Sequence, residues 1–120
     1  MIKKIKDLEV YVLSFGLAMD IYDTTKKFPK EEVYSLTSQV VRSSRSIAAN
    51  ISEGWAKREY QSVFKQHLVH SLGSASETQT WLDFALACDY IDESRYASLT
   101  EKLDVVGKML TQLHKKWKSY

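Results

Sequence analysis

Apolar and polar positions along Val33–Gly54 sort into three helical stripes. Val33, Leu36, Val40, Ile47 and Ile51 recur at alternating three- and four-residue spacing, with Ser43 or Ser44 filling the gap, as on a bundle seam. Thr37, Val41, Ser44, Ala48 and Ile51 form a second stripe of mostly small side chains that lets another backbone come close. Gln39, Arg42, Ser46, Asn50 and Glu53 form a third, wholly polar stripe, which beside two buried-looking faces asks for a partner.

The same periodicity predicts three further helices. The first spans about Asp7 to Lys27, with Leu8, Val12, Phe15, Met19 and Tyr22 as its inward face and Asp7 as its cap. Phe28-Pro29 stops it, because the residue before a proline is pushed out of helical geometry. Pro29 then falls in the first turn of the second helix, and Gly54 closes that helix in a left-handed conformation. The third helix, about Glu59 to Tyr90, carries Phe64, Leu68, Ser71, Ala75, Thr78, Leu82 and Ala85 as a stripe with a small-residue middle. Gly73 inside it is expected where neighbours crowd the backbone. Asp92 caps the fourth helix, whose Leu99, Leu103, Val106, Leu110, Leu113 and Trp117 give the cleanest heptad seam. Four amphipathic helices with short connections predict an all-α, antiparallel up-down-up-down four-helix bundle, as one domain over residues 1–120.

Composition sharpens this picture. One proline and four glycines in 120 residues disfavour a many-turned β fold. The lone Cys88 excludes an internal disulfide and a cysteine metal cluster, and suits a reducing cytoplasm as a small core residue. No apolar run approaches the length of a membrane span. A net charge of +2 argues for no particular partner, so the placement of charge matters more. In the predicted topology one bundle end gathers Lys3, Lys4, Lys6, Lys57, Arg58, Lys115, Lys116 and Lys118. Trp55, Tyr60, Trp117 and Tyr120 accompany them. Cations interleaved with aromatics make a candidate surface for RNA or DNA, weighed against lysines that solubilise chain ends and aromatics that seal the bundle.

The motifs in the middle of the chain have relatives. Phe28-Pro29, Glu32, Tyr34, Leu36, Gln39, Arg42, Ser46-Ile47, Asn50-Ile51 and Glu53-Gly54 form one block. Phe64, Leu68, Gly73-Ser74-Ala75, Glu77 and Leu82 form another. In order and spacing the two blocks resemble the bacterial four-helix-bundle proteins of 23S rRNA intervening sequences, over about Asp7 to Lys116. That family resembles in turn the accessory variability protein of diversity-generating retroelements, a barrel-shaped homopentamer that associates with reverse transcriptase and nucleic acid. The resemblance implies a cytoplasmic homopentamer. The chain departs from the family pattern where many members carry a second arginine, here Val41, and apolar residues, here Ser43, Ser44 and Arg45. Charge has in effect moved to another face of the helix.

The strongest constellation is Gln39, Arg42, Ser46, Asn50 and Glu53 with Ser74 and Glu77 of the third helix. It reads as a polar network that fixes helix register or a subunit contact, with Arg42 pairing Glu77 or Glu53, and Arg42, Ser46, Asn50, Ser74 and Glu77 are expected to supply much of the contact between subunits. The alternative is a ligand or nucleic-acid site. His67 and His70 lie about one turn apart, half of a metal site at most, and the Glu-x-x-His pairs of di-iron bundles are absent. No nucleophile elbow, phosphate-cradling loop or dinucleotide fingerprint is present, so neither catalysis nor a cofactor is expected. The functional expectation is a non-enzymatic homo-oligomer that binds RNA or DNA through its basic end. The alternatives are a protein-interaction scaffold or, less favoured, a metal-binding bundle.

Overall fold

The computed structural model describes residues 1–118. Four helices account for the fold: α1 (Glu9–Thr25), α2 (Leu36–Ala56), α3 (Gln61–Ala87) and α4 (Glu93–Lys116). Short 3-10 turns at Ile5–Asp7 and Lys30–Glu32 precede the first two. Each helix packs on its chain neighbour, and α1 closes the bundle against α4. Among the described residues there is no strand, and the all-α four-helix bundle expected from the periodicity is the fold observed.

The seams of α3 and α4 lie where the spacing puts them. Phe64, Leu68, Ser71, Ala75, Thr78, Leu82 and Ala85 are all buried, as are Leu99, Leu103, Val106 and Leu110. Leu113 and Trp117 pack against the core at its end. Asp92 caps α4 by accepting the Arg95 amide at 2.7 Å. The small middle of α3 brings α2 close: Ser71 Oγ donates to the Ile47 carbonyl at 2.9 Å, and the hydroxyls of Ser43 and Thr78 meet at 2.8 Å.

Helix α1 is rotated from the expected face. Leu8 is buried, but Val12, Phe15, Met19 and Tyr22 leave 38% to 54% of their surface in solvent. Val10, Ser14, Leu17, Ile21 and Thr24 face the core instead. They too follow a four-three-four-three spacing. A helix apolar on most of its circumference offers two equivalent stripes, and periodicity alone does not choose between them. Asp7 caps the preceding 3-10 turn, where its carboxylate accepts the Lys3 and Lys4 amides at 2.9 and 3.1 Å. These two bonds hold its carboxyl below the usual range.

The start of α2 is displaced as well. Pro29 opens the short 3-10 turn, and the α-helix begins only at Leu36, leaving Val33 45% exposed rather than in the seam. Glu32 sets the boundary. Its carboxylate accepts the Ser35 hydroxyl, the Leu36 amide at 3.2 Å and the Tyr90 hydroxyl at 2.7 Å. These bonds lower the pKa of Glu32, and the bond to Glu32 pushes Tyr90 up to about 12.

Two glycines exchange the expected roles. Gly54 is not a left-handed terminator, since no glycine among the described residues has positive φ and α2 runs on to Ala56. A Cβ on Gly54 would lie 2.8 Å from Cβ of His67 and 3.1 Å from Cδ1 of Phe64, so its bare backbone is what lets α3 come in. Gly73, by contrast, is uncrowded: a Cβ there meets nothing within 4 Å. The left-handed residue is Asp89, φ 60°, after α3. The Tyr90 amide bonds to the Ala85 carbonyl and the Asp89 amide to the Leu86 carbonyl, which together close a Schellman turn. Cys88 beside it is exposed, not a core residue, because the helix has already ended there.

Candidate functional site

The basic end forms as the topology requires. The start of the chain, the α2–α3 linker and the end of α4 meet around an open cleft of about 980 Å3. Met1, Ile2, Arg58, Glu59, Lys116 and Lys118 line it. Lys3, Lys4, Lys6 and Lys115 are solvent-exposed. Lys57 is tied to Glu53 at 3.1 Å.

The aromatics there do not face the solvent together. Trp55 is 9% exposed, and Trp117 packs against Trp55 and Phe64 with ring centroids 6.1 and 4.6 Å away. Arg58 lies 3.9 Å above the Trp55 ring and donates to the Trp55 carbonyl at 3.0 Å. This stack seals the end of the core. Tyr60, 65% exposed, is the aromatic side chain left free to stack on a base. Tyr120 lies outside the described residues.

Part of the polar stripe is a network between α2 and α3. Ser74 Oγ donates to Ser46 Oγ at 2.9 Å. The Asn50 amide nitrogen donates to the Ser46 carbonyl and hydroxyl at 3.0 and 3.1 Å. Asn50 Oδ1 stands 3.4 Å from His67 Nδ1, and Glu53 stands 3.6 Å from His67 Nε2. Glu53 also accepts from Lys57, which with the charges of Lys57 and His67 lowers its pKa. The chain of contacts thus runs from mid-bundle toward the basic end.

Gln39, Arg42 and Glu77 stand apart from it, exposed to solvent. The ion pair expected between Arg42 and Glu77 or Glu53 does not form within the chain. Glu77 instead accepts the Trp81 indole N–H at 3.2 Å one turn along α3, and Glu53 is held by Lys57. From the sequence His67 reads as half of a metal site and not as a member of this network. Its side chain is only 13% exposed because it lies over the bare backbone of Gly54. A glycine facing a histidine across two close helices was the available signal.

His67 and His70 have ring centroids 6.1 Å apart. Among the described residues no group of three or more His, Cys, Asp or Glu side chains is arranged to hold a metal ion. No helix among them is long and apolar enough to cross a membrane.

Comparison with known proteins agrees with the fold. A solved structure from Bacteroides thetaiotaomicron VPI-5482, described as a protein with unknown function from the S23 ribosomal protein family, superposes with a TM-score of 0.81. It is 28% identical, over 89% of this chain and 96% of that one. A search of curated proteins finds no match. Residues 6–112 match the family described as 23S rRNA-intervening sequence protein, and the chain belongs to that family.

Proposed function

We propose that this protein is a non-enzymatic, homopentameric binding protein that engages RNA or DNA through the basic end of its bundle. The observation that carries the reading is the cleft where Arg58, Lys116 and Lys118 converge, with Lys115 and the amino-terminal lysines nearby. Phosphate contacts supply most sequence-independent affinity for nucleic acid, and ring symmetry multiplies a modest cluster. The exposed apolar side of α1 supports self-association.

Fluorescence anisotropy with labelled single-stranded RNA and DNA across a salt series tests it. Binding should weaken by about tenfold or more between 50 and 200 mM salt, because each neutralised phosphate releases counterion. A Lys115→Glu, Lys116→Glu double substitution should reduce it further without altering helicity. No binding at 50 mM salt, or binding indifferent to salt, refutes the reading.

One observation favours a second reading, a scaffold for a protein partner. Trp55 and Trp117 turn into the core, which among the described residues of this end leaves Tyr60 as the exposed stacking platform. Recovery of a defined protein partner after nuclease treatment, with no anisotropy change, supports that alternative.

A further inference from the structure

Helix α1 turns a strongly apolar face outward. Val12, Leu13, Phe15, Met19 and Tyr22 leave 38% to 54% of their surface exposed. At about 150–250 Å2 per large side chain this is on the order of 400 Å2 of apolar surface on one helix. The largest apolar patch on a typical monomer is about 300–600 Å2, and such a patch is often functional. Divided between two contacts, one on each side of α1, the exposed surface gives each about 200 Å2 toward the roughly 800 Å2 that a standard interface buries per partner.

The face consists of two grooves that meet along α1. One, of about 450 Å3, runs between α1 and α2 past Phe15, Met19, Ala49 and Arg45. The other, of about 480 Å3, runs between α1 and α4 past Leu13, Gly16, Val105 and Glu101. Their charges are opposite. Arg45, 5.3 Å from the Tyr22 ring, is the charged residue of the first groove, and no acid lines it among the described residues. In the second, Lys102 is taken by Asp20 at 2.8 Å, which leaves the exposed Glu101 in excess. Arg45 is level with Tyr22, and Glu101 is beside Lys102 at the level of Asp20, so the two stand at similar heights on the bundle.

Gly16 lies in the second groove, and a Cβ there would meet nothing within 4 Å, so a larger side chain can be placed on this face without disturbing the protomer.

We propose that each groove is filled by a neighbouring copy of this chain: the α1–α2 groove of one protomer seats on the α1–α4 groove of the next, bundle axes parallel, Arg45 facing Glu101. One chain supplies both the surplus cation and the surplus acid, which fits a copy better than an unrelated partner. Because α1 packs on both α2 and α4, it occupies one corner of the bundle. The two faces that meet at this corner lie about 90° apart in a four-helix bundle. A heterologous contact between faces at about that angle closes after roughly four or five copies. The inference rests on the homo-oligomeric reading above and adds its surface and register.

Sedimentation velocity beside circular dichroism tests it on the whole chain. Met19→Glu and Gly16→Leu should each sediment as single helical bundles; the leucine enters open space in the protomer, so folding is preserved. Arg45→Glu and Glu101→Arg should each weaken association about tenfold or more, and the double variant should restore it. Arg42→Ala should leave assembly intact. A wild-type chain that sediments as a monomer removes the homo-oligomeric reading and this inference together. A wild-type oligomer unaffected by Met19→Glu and Gly16→Leu overturns the surface alone. Single charge variants that dissociate without rescue by the double overturn the Arg45–Glu101 register.

Discussion

Adding one methyl group at Gly54 should force α2 and α3 apart. The new Cβ would sit 2.8 Å from His67 Cβ and 3.1 Å from Phe64 Cδ1, against the roughly 3.5–4.0 Å at which carbons settle. The nearer atom is a Cβ bonded directly to the α3 backbone, so no side-chain rotation relieves it. Overpacking of this kind costs about 1–3 kcal/mol, while alanine in mid-helix returns about 1 kcal/mol of propensity over glycine. Gly54→Ala should therefore lower stability by about 1 kcal/mol net. Gly73 and Gly107 serve as controls, because a Cβ on either meets nothing within 4 Å. Alanine there should raise stability by up to about 1 kcal/mol, so the sites differ in sign and by about 2 kcal/mol. Urea titrations followed by circular dichroism read the difference as midpoint shifts at constant slope. In a thermal scan each 1 kcal/mol corresponds to roughly 3–6 °C for a chain of this size. A Gly54→Ala protein as stable as the Gly73→Ala protein would show that the close approach of α2 and α3 does not constrain this position.

Two further outcomes follow from other sites. Ser14 is fully buried and its hydroxyl lacks a hydrogen-bond partner, so Ser14→Ala should stabilise the fold by about 1 kcal/mol, measured by the same titration; a loss would mean that the hydroxyl is satisfied in solution. The Glu32–Tyr90 bond predicts opposite effects at the two ends of the pH scale. The depressed carboxyl of Glu32 contributes stability above its ordinary value of 4.5 that is lost as pH falls through the lower folded value. The raised hydroxyl of Tyr90 contributes stability below pH 10 that is lost as pH rises through about 12. Unfolding midpoints across pH should show both limbs weakened in Tyr90→Phe, and identical profiles for the two proteins would refute the linkage.

What the sequence discloses varies with how each helix is solvated. In α4 most apolar positions fall on one stripe between polar ones, which names the buried face; in α3 Val63, Val69 and Phe84 lie off the stripe and exposed, and the heptad-like spacing alone picks the buried face out. In α1 the sequence Val10-Tyr-Val-Leu-Ser-Phe-Gly-Leu-Ala-Met leaves apolar side chains on most sides, so spacing fits two faces and only the packed neighbours decide. The true face contains Ser14, Thr24 and Thr25, which hydropathy counts against burial. Thr24 and Thr25 are accommodated because their hydroxyls donate to the Asp20 and Tyr22 carbonyls of the same helix. Gly54 was legible as a special backbone position, but not why, since a terminator and a close approach leave the same residue in the sequence. The basic end was legible as a place, because topology alone brings those segments together. Which of its groups remain free was not. Lys57 is tied to Glu53, and Arg58 and both tryptophans are committed to closing the core, through contacts that depend on side-chain direction.

The aromatic closure also sorts the three tryptophans by place. Trp55 and Trp117 share one cluster under the Arg58 guanidinium at the cationic cleft, whereas Trp81 lies on α3 between Glu77 and Phe84. Intrinsic emission from this protein is therefore a two-site signal. One part comes from a coupled pair whose environment changes when anything displaces Arg58 or enters the cleft. The other comes from a single indole that such an event does not touch. A Trp81→Phe protein would turn that mixture into an optical probe of one end of the bundle, with no added label.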